Sequence, residues 1–375
     1  MSATLETRTG SPHQADGPRP DRTAGSATPA REVVRLLQAR GRRRMALALG
    51  GLALALLGMV AVRVLLGQFT VTLPDVVRIL GGEQIPGATY VVMESKLPRA
   101  VGAVAAGAAF GAAGALFRRT LRNPLASPDL IGVSGGAAAG AVTALAVFDA
   151  SGLGMAAGAL VGGLAASALV LAFARAGSDG AGGATSAMGG EKVIVAGIAI
   201  AALAQVIVAQ IVLGLDRWNL QTVAIWTSGS LNIATWERVS WITVALAVLG
   251  PVAAVLHQRL APADLGADFA HGLGAEPERT GFWALVVGAL LASIATAAFG
   301  PLAFVALLAT PLARGLTGGR PSIIASALVG ALIVVIADFL AAETIPGLRL
   351  PTGILTGAAG APLMLWLLIR SRRGV

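Results

Sequence analysis

The chain has 375 residues, of which 55% are apolar and only 13% charged, and its mean hydropathy is +0.77. A water-soluble domain carries about a quarter charged residues, so this composition excludes a soluble enzyme or binding module and points to a chain embedded in a membrane. Cysteine is absent and the net charge is +9; the first fact excludes disulfides and thiolate metal sites, and the second needs an origin.

Residues 1–30 are polar and rich in Pro, Gly, Ser and Thr. Such a segment cannot bury enough apolar surface to order itself, and residues 1–43 read as a disordered cytoplasmic tail. The first apolar run starts near residue 45, too far along for a cleavable signal peptide. Apolar segments then follow near 45–66, 98–117, 130–148, 153–175, 193–213, 238–257, 281–299, 301–314, 321–342 and 352–369. About 20 residues of helix cross the hydrocarbon core, and the runs are continuous rather than alternating, which argues against a β-barrel. The segment 301–314 is short and predicts a helix packed within the protein. The fold class is therefore all-α, a polytopic membrane protein with about ten transmembrane helices. The transmembrane body covers 44–370, with a cytoplasmic loop at 258–280 and a short cytoplasmic tail at 371–375.

Ten helices put both termini on one side. Basic residues in the flanks and loops on that side number 18, with three more in the N-terminal tail, against 7 on the other. The positive-inside rule then places both termini, and the stretch "FRRTLRNPLASPDL", in the cytoplasm. The net charge is thus explained by topology, and no nucleic-acid partner is implied. Glycines recur four apart, as in Gly107 with Gly111, Gly136 with Gly140, and Gly154, Gly158 and Gly162. That spacing lets helices approach closely and reads as general tight bundling.

The residues of catalysis are missing. No phosphate-cradling G-x-x-x-x-G-K-[ST] stretch and no H-E-x-x-H occur. His13, His257 and His271 are scattered and make no ligand set, so no catalytic residue, metal site or cofactor is assigned. Asp338 is the one acid well inside an apolar run. It reads as a helix-end acid bonded to neighbouring groups near the outer interface, with an intramembrane functional role as the alternative. Without a relay or a catalytic cluster, the chain reads as a conduit driven from outside itself.

Four stretches carry a resemblance. They are "KLPRAVGAVAAGAAFGAAGALFRRTLRNPLASPDLIGVSGGA" at 96–137, "WTSGSLNIATW" at 226–236, "GLGAEPERTGFW" with "AFGPLAFVALLATPLARGLTGG" after it, and "ASALVGALIVVIADFL" with "LPTGILTGAAGAPLMLWLL" after it. Together they resemble the FecCD family, the permease subunits of bacterial ABC type II importers for iron–siderophore complexes, haem and cobalamin. The likeness covers roughly residues 45–370. It implies two permease subunits, identical or paralogous, around a central path in the bacterial inner membrane. Two cytoplasmic ATPase subunits sit beneath them, and an extracytoplasmic binding protein delivers the cargo.

The resemblance also assigns residues. Asn123, Pro124 and Leu125 match the N-P-L turn that narrows the cytoplasmic end of the path, and Gly190 and Glu191 match the second part of that gate. Glu191 stands where the family has small hydroxyl residues. Lys96 and Arg99 match two basic residues that pair with acids on the binding protein; a third such position is Ala342, followed by Glu343. Asp264, Gly266, Ala267, Leu273, Gly274 and Arg279 match the segment lying on the ATPase. Thr310 and Pro311 stand where the family has Pro followed by His or Gln, while Arg314 matches. The expected cargo is a ferric siderophore carried by alternating access, with cobalamin or haem as alternatives. The alternative from another class is an ATP-independent secondary transporter or channel.

Overall fold

The computed structural model describes residues 27–67, 69–176, 190–343 and 350–372. The chain divides into two compact units, Met1–Arg43 and Arg44–Val375. In the first, the described residues are helical from Ala27, the start of α1 (Ala27–Leu65). Residues 27–43, assigned to the disordered tail from their polarity, thus form helix. The sequence there, "ATPAREVVRLLQARGRR", is dominated by Ala, Leu, Arg, Gln and Glu, which hold the helical backbone at little cost even without a buried face.

In the second unit, the ten apolar runs appear as helices. They are the later part of α1, α4 (Leu97–Leu121), α5 (Val133–Phe148), α6 (Leu153–Ala176), α7 (Gly190–Val212), α9 (Trp236–Arg259), α11 (Pro277–Phe299), α12 (Val305–Leu316), α13 (Ile323–Glu343) and α14 (Thr352–Arg372). Among the described residues, seven helices are long and apolar enough to cross a membrane, while α5, α12 and Thr352–Leu367 are shorter. Other helices fall between the runs: α2 (Leu73–Leu80), α3 (Ala88–Tyr90) with a π-turn at Val91–Lys96, α8 (Arg217–Ser228) and α10 (Ala267–Gly272). Three 3₁₀ turns complete the set, at Pro128–Ile131, Leu231–Ile233 and Pro262–Leu265.

Helix α4 is the axis of this unit. It packs against α13, α11, α9 and α12 and is largely buried, whereas α7 is largely exposed. Small residues make this possible. A Cβ on Gly107 would lie 2.4 Å from the Gly330 carbonyl oxygen, and one on Gly111 would lie 2.2 Å from that of Ser326. Gly136, Gly140, Gly158 and Gly162 bring α5 and α6 equally close. The glycine spacing therefore serves two defined pairs inside one chain. Lipid tails are as apolar as the side chains, so close backbone packing has to supply the attraction.

Candidate functional site

At the C-terminal end of α4, Arg122 adopts φ 47° and closes the helix in the left-handed region. Pro124 cannot continue the helix, having no N–H. The side-chain oxygen of Asn123 accepts from the Leu125 N–H at 2.8 Å, and the Asn123 carbonyl accepts from the Ala126 N–H at 3.1 Å. The corner is thus held by its own residues, an Asx turn after a proline stop. It borders a cavity of about 860 Å³ lined by Arg118, Arg119, Asn123, Pro124, Asp264 and Gly266, among others.

Two arginines tie this corner to the 258–280 loop. Arg119 Nη2 lies 2.5 Å from Asp264 Oδ2, and its Nη1 donates to the His257 carbonyl at 2.6 Å. Arg122 Nη2 donates to the Ala263 carbonyl at 2.6 Å. The Pro262–Leu265 turn is thereby fastened to α4 by charge-assisted bonds, stronger than neutral ones. Beyond it, Gly266 (φ 113°) and Gly274 (φ 72°) bracket α10 at backbone angles that other residues rarely adopt. Leu265, Phe269 and Leu273, four residues apart, are 69%, 72% and 68% exposed. Arg279 pairs with Glu276 at 3.2 Å on the surface.

Pro311 interrupts α12 internally, and the carbonyl four residues earlier, Leu307, loses its helical donor. Arg118 Nη2 donates to that carbonyl instead. The shifted proline is therefore accommodated by an arginine of α4, which adds α12 to the groups gathered at this corner.

The other end of α4 is arranged differently. Asp338, 0% exposed, receives Arg63 Nε at 2.8 Å, Arg99 Nε at 2.8 Å and the Thr352 hydroxyl at 3.0 Å. Arg99 also donates to the Asn232 side-chain oxygen. Lys96 Nζ donates to the carbonyls of Val64, Leu66 and Phe69 at 2.8, 3.0 and 2.6 Å, capping the end of α1. Arg238 closes α11 by donating to the Ala298 carbonyl at 2.7 Å. The carboxylate joins α1, α4, α13 and α14, in line with a helix-end acid bonded to its neighbours.

The structure therefore brings Asn123, Pro124, Asp264 and Gly266 to one cavity, with Leu125 exposed at its edge. Lys96 and Arg99 are the residues expected to dock the binding protein. Both are buried, at 6% and 5% exposure, and engaged with the chain itself, so neither is presented to a partner in this conformation. Gly190 opens α7; the side chains of Glu191 and Ala267 lie outside what the structure describes, and so do residues 177–189 before them. Sequence reasoning missed Arg119 and Arg122 as the links to the turn, and Leu265 and Phe269 as exposed apolar groups. The doubled basic step in "FRRTLRN" and the i, i+4 spacing of Leu265, Phe269 and Leu273 were the available signals.

The profile of the FecCD transport family matches residues 54–370. The chain is 33% identical over 309 residues to the ferric enterobactin transport system permease protein FepG of Escherichia coli, covering 82% of this chain and 91% of that one. It is 32% identical over 334 residues to the Fe(3+)-citrate import system permease protein YfmE of Bacillus subtilis, covering 88% and 96%. In three dimensions it is similar to a metal-chelate type ABC transporter solved in an inward-facing conformation. That match has a TM-score of 0.74 and 25% identity, over 86% of this chain and 98% of the other.

Proposed function

The chain belongs to the FecCD transport family of ABC importer permeases, and from that premise we propose that it carries a ferric siderophore inward by alternating access, driven by ATPase subunits that bind its 258–280 loop. The observation that carries this reading is the grip of Arg119 and Arg122 on the Pro262–Leu265 turn. A force applied to the loop is delivered through two cationic side chains to the end of α4, where Asn123 and Pro124 form the corner. Leu265, Phe269 and Leu273 supply an apolar row that fits the groove of a partner. Gly266 and Gly274 set the backbone that presents it, and Asp264 holds it to α4.

The mechanism follows from what the chain's residues do. ATP binding shifts the partner subunits, and the loop moves with them. Arg119 and Arg122 pass the shift to Asn123, Pro124 and Leu125, with Gly190 and Glu191 of α7 as the facing side of the cytoplasmic gate. The Asp338 cluster keeps the opposite ends of α1, α4, α13 and α14 together while the gate end moves. Both termini are cytoplasmic in this arrangement, consistent with the excess of basic residues on that side. A second permease, identical or paralogous, completes the path.

Iron-siderophore cargo is supported by the relatives, permeases of ferric enterobactin and ferric citrate transport systems. The test uses proteoliposomes holding the permeases, the ATPase subunits and a chelate-loaded binding protein. Iron-labelled ferric siderophore should accumulate only with ATP inside the ATPase compartment. Uptake by the permease alone, or uptake driven by a proton gradient after ATP removal, sinks the proposal, and uptake of cobalamin or haem in place of iron reassigns the cargo.

A further inference from the structure

The cavity at the Asn-Pro corner is strongly cationic. Arg118, Arg119, Arg122 and Arg314 line it, and Asp264 is the one carboxylate among the described lining residues. Asp264 pairs with Arg119 at 2.5 Å, so four guanidinium groups stand against one carboxylate. The wall also includes Pro321 and Ser322, where α13 begins, and the first turn of that helix carries no acid. The helix dipole therefore adds partial positive charge to the same side of the cavity.

Two donors in this wall are left over by the chain itself. Thr310 is 7% exposed, and its hydroxyl hydrogen-bonds to no described residue. Arg118 gives Nη2 to the Leu307 carbonyl, while its buried Nε has no partner among the described residues. Burying a donor without an acceptor costs free energy, and folded proteins leave few such groups. The missing complement is an acceptor with several oxygens and negative charge. A phosphate group has both, and the planar fork of arginine matches its oxygens in pairs. A cavity of about 860 Å³ admits such a group together with the chain that carries it.

We propose that this cavity binds a phosphate-class oxyanion through Arg118, Arg314 and the Thr310 hydroxyl, supplied either by the headgroup of an anionic phospholipid or by dissolved phosphate. The cavity opens between helices at the end of the bundle that carries the excess of basic residues, and basic recesses in that position take anionic headgroups. Occupancy also bears on the corner. The anion draws on the same Arg119 that holds Asp264, whose side chain is 48% exposed, and a pair of that kind is readily exchanged. A bound anion therefore loosens the hold of α4 on the Pro262–Leu265 turn. That consequence for transport rests on the importer reading above; the binding itself does not.

The test has two arms, both on the full-length chain. In neutral detergent, the thermal midpoint is followed as sodium phosphate replaces sodium chloride at constant ionic strength, since a ligand of the folded state raises it saturably. After reconstitution with phosphatidylglycerol or phosphatidylcholine, native mass spectrometry reads which lipid is retained. Wild type is compared with Arg314→Gln, Thr310→Val, Asp264→Asn and Arg320→Gln. Arg320 is exposed on the turn after α12 and does not line the cavity, so its loss controls for charge alone. Midpoints without phosphate check that each variant folds. Binding should weaken about 10-fold in Arg314→Gln and about 5-fold in Thr310→Val, tighten in Asp264→Asn, and stay unchanged in Arg320→Gln. A phosphate response supports the proposal with dissolved anion as ligand; retention of phosphatidylglycerol alone, lost in Arg314→Gln, supports it with the headgroup as ligand. The proposal is overturned if wild type binds neither, if Arg314→Gln and Thr310→Val bind as wild type does, if Arg320→Gln weakens binding as much as Arg314→Gln, or if assembly with the ATPase subunits removes the Arg314-dependent binding. None of those results touches ATP-driven uptake, and loss of ATP dependence with anion binding intact sinks the importer reading alone.

Discussion

The two ends of α4 carry the same chemistry used in opposite ways. Each has a pair of cations three residues apart, Lys96 with Arg99 and Arg119 with Arg122. At the first end the charges are sealed in the interior, compensated by Asp338 and by carbonyls at the end of α1. At the second, Arg119 meets a carboxylate whose side chain is 48% exposed. In low dielectric a missing partner is costly and the geometry is held. In water a pair is worth little and can be remade in another geometry. One helix therefore has an end fixed by buried charge and an end whose partly exposed pair can be remade, the movable end of the proposed mechanism.

The largest expected effect tests the fixed end. Asp338→Ala leaves two buried guanidinium groups without their carboxylate and should destabilise the protein by about 3–5 kcal/mol, read as a fall in the thermal midpoint in detergent. A variant as stable as wild type would show that the cluster does not anchor these helices. Next comes the apolar row. Replacing both Phe269 and Leu273 by Ser should weaken ATPase-subunit association by about 2 kcal/mol or more, as for buried anchors at an interface, with no loss of fold, since both are exposed. Unchanged association would place the partner elsewhere.

The movable end is tested by Arg119→Ala, Asp264→Ala and the double variant. Stability should change by about 1 kcal/mol or less, as expected of a pair with an exposed partner, while uptake per ATP hydrolysed falls about 5-fold or more. The double variant should be no worse than either single one; additive losses would mean that the two residues act separately. The smallest effect concerns Asp129, in the turn beside the corner. Its burial pushes the carboxyl above its ordinary value, partly opposed by the Ser134 hydroxyl. The folded chain then holds the proton more tightly than the unfolded one. Stability is lost as pH rises from the ordinary carboxylate value to the raised one. Asp129→Asn should therefore gain stability relative to wild type on going from acid to neutral pH. A gain that shrinks with rising pH contradicts this.

Much of the architecture was legible because each signal is local. A helix of apolar residues records its own span, Pro124 records its own stop, and the bias of Lys and Arg records sidedness. The short α12 was recognisable from length alone. Residues 27–43 are helical where their polarity predicts disorder, because helix propensity needs no buried face. The glycine spacing was visible, but which helices it joins was not, since the partner of Gly107 lies more than 200 residues away at Gly330.

The sequence by itself determined that this chain is a helical membrane permease of its family, where its helices run, and where the Asn-Pro corner falls, because hydropathy and backbone chemistry are written residue by residue. Only the tertiary structure decided which charges face water. Lys96, Arg99 and Arg63 look like exposed cations in a linear reading, and their burial depends on Asp338 and on carbonyls brought from distant segments. Whether a charge is sealed or presented is a property of its surroundings, and those surroundings are assembled only when the helices pack.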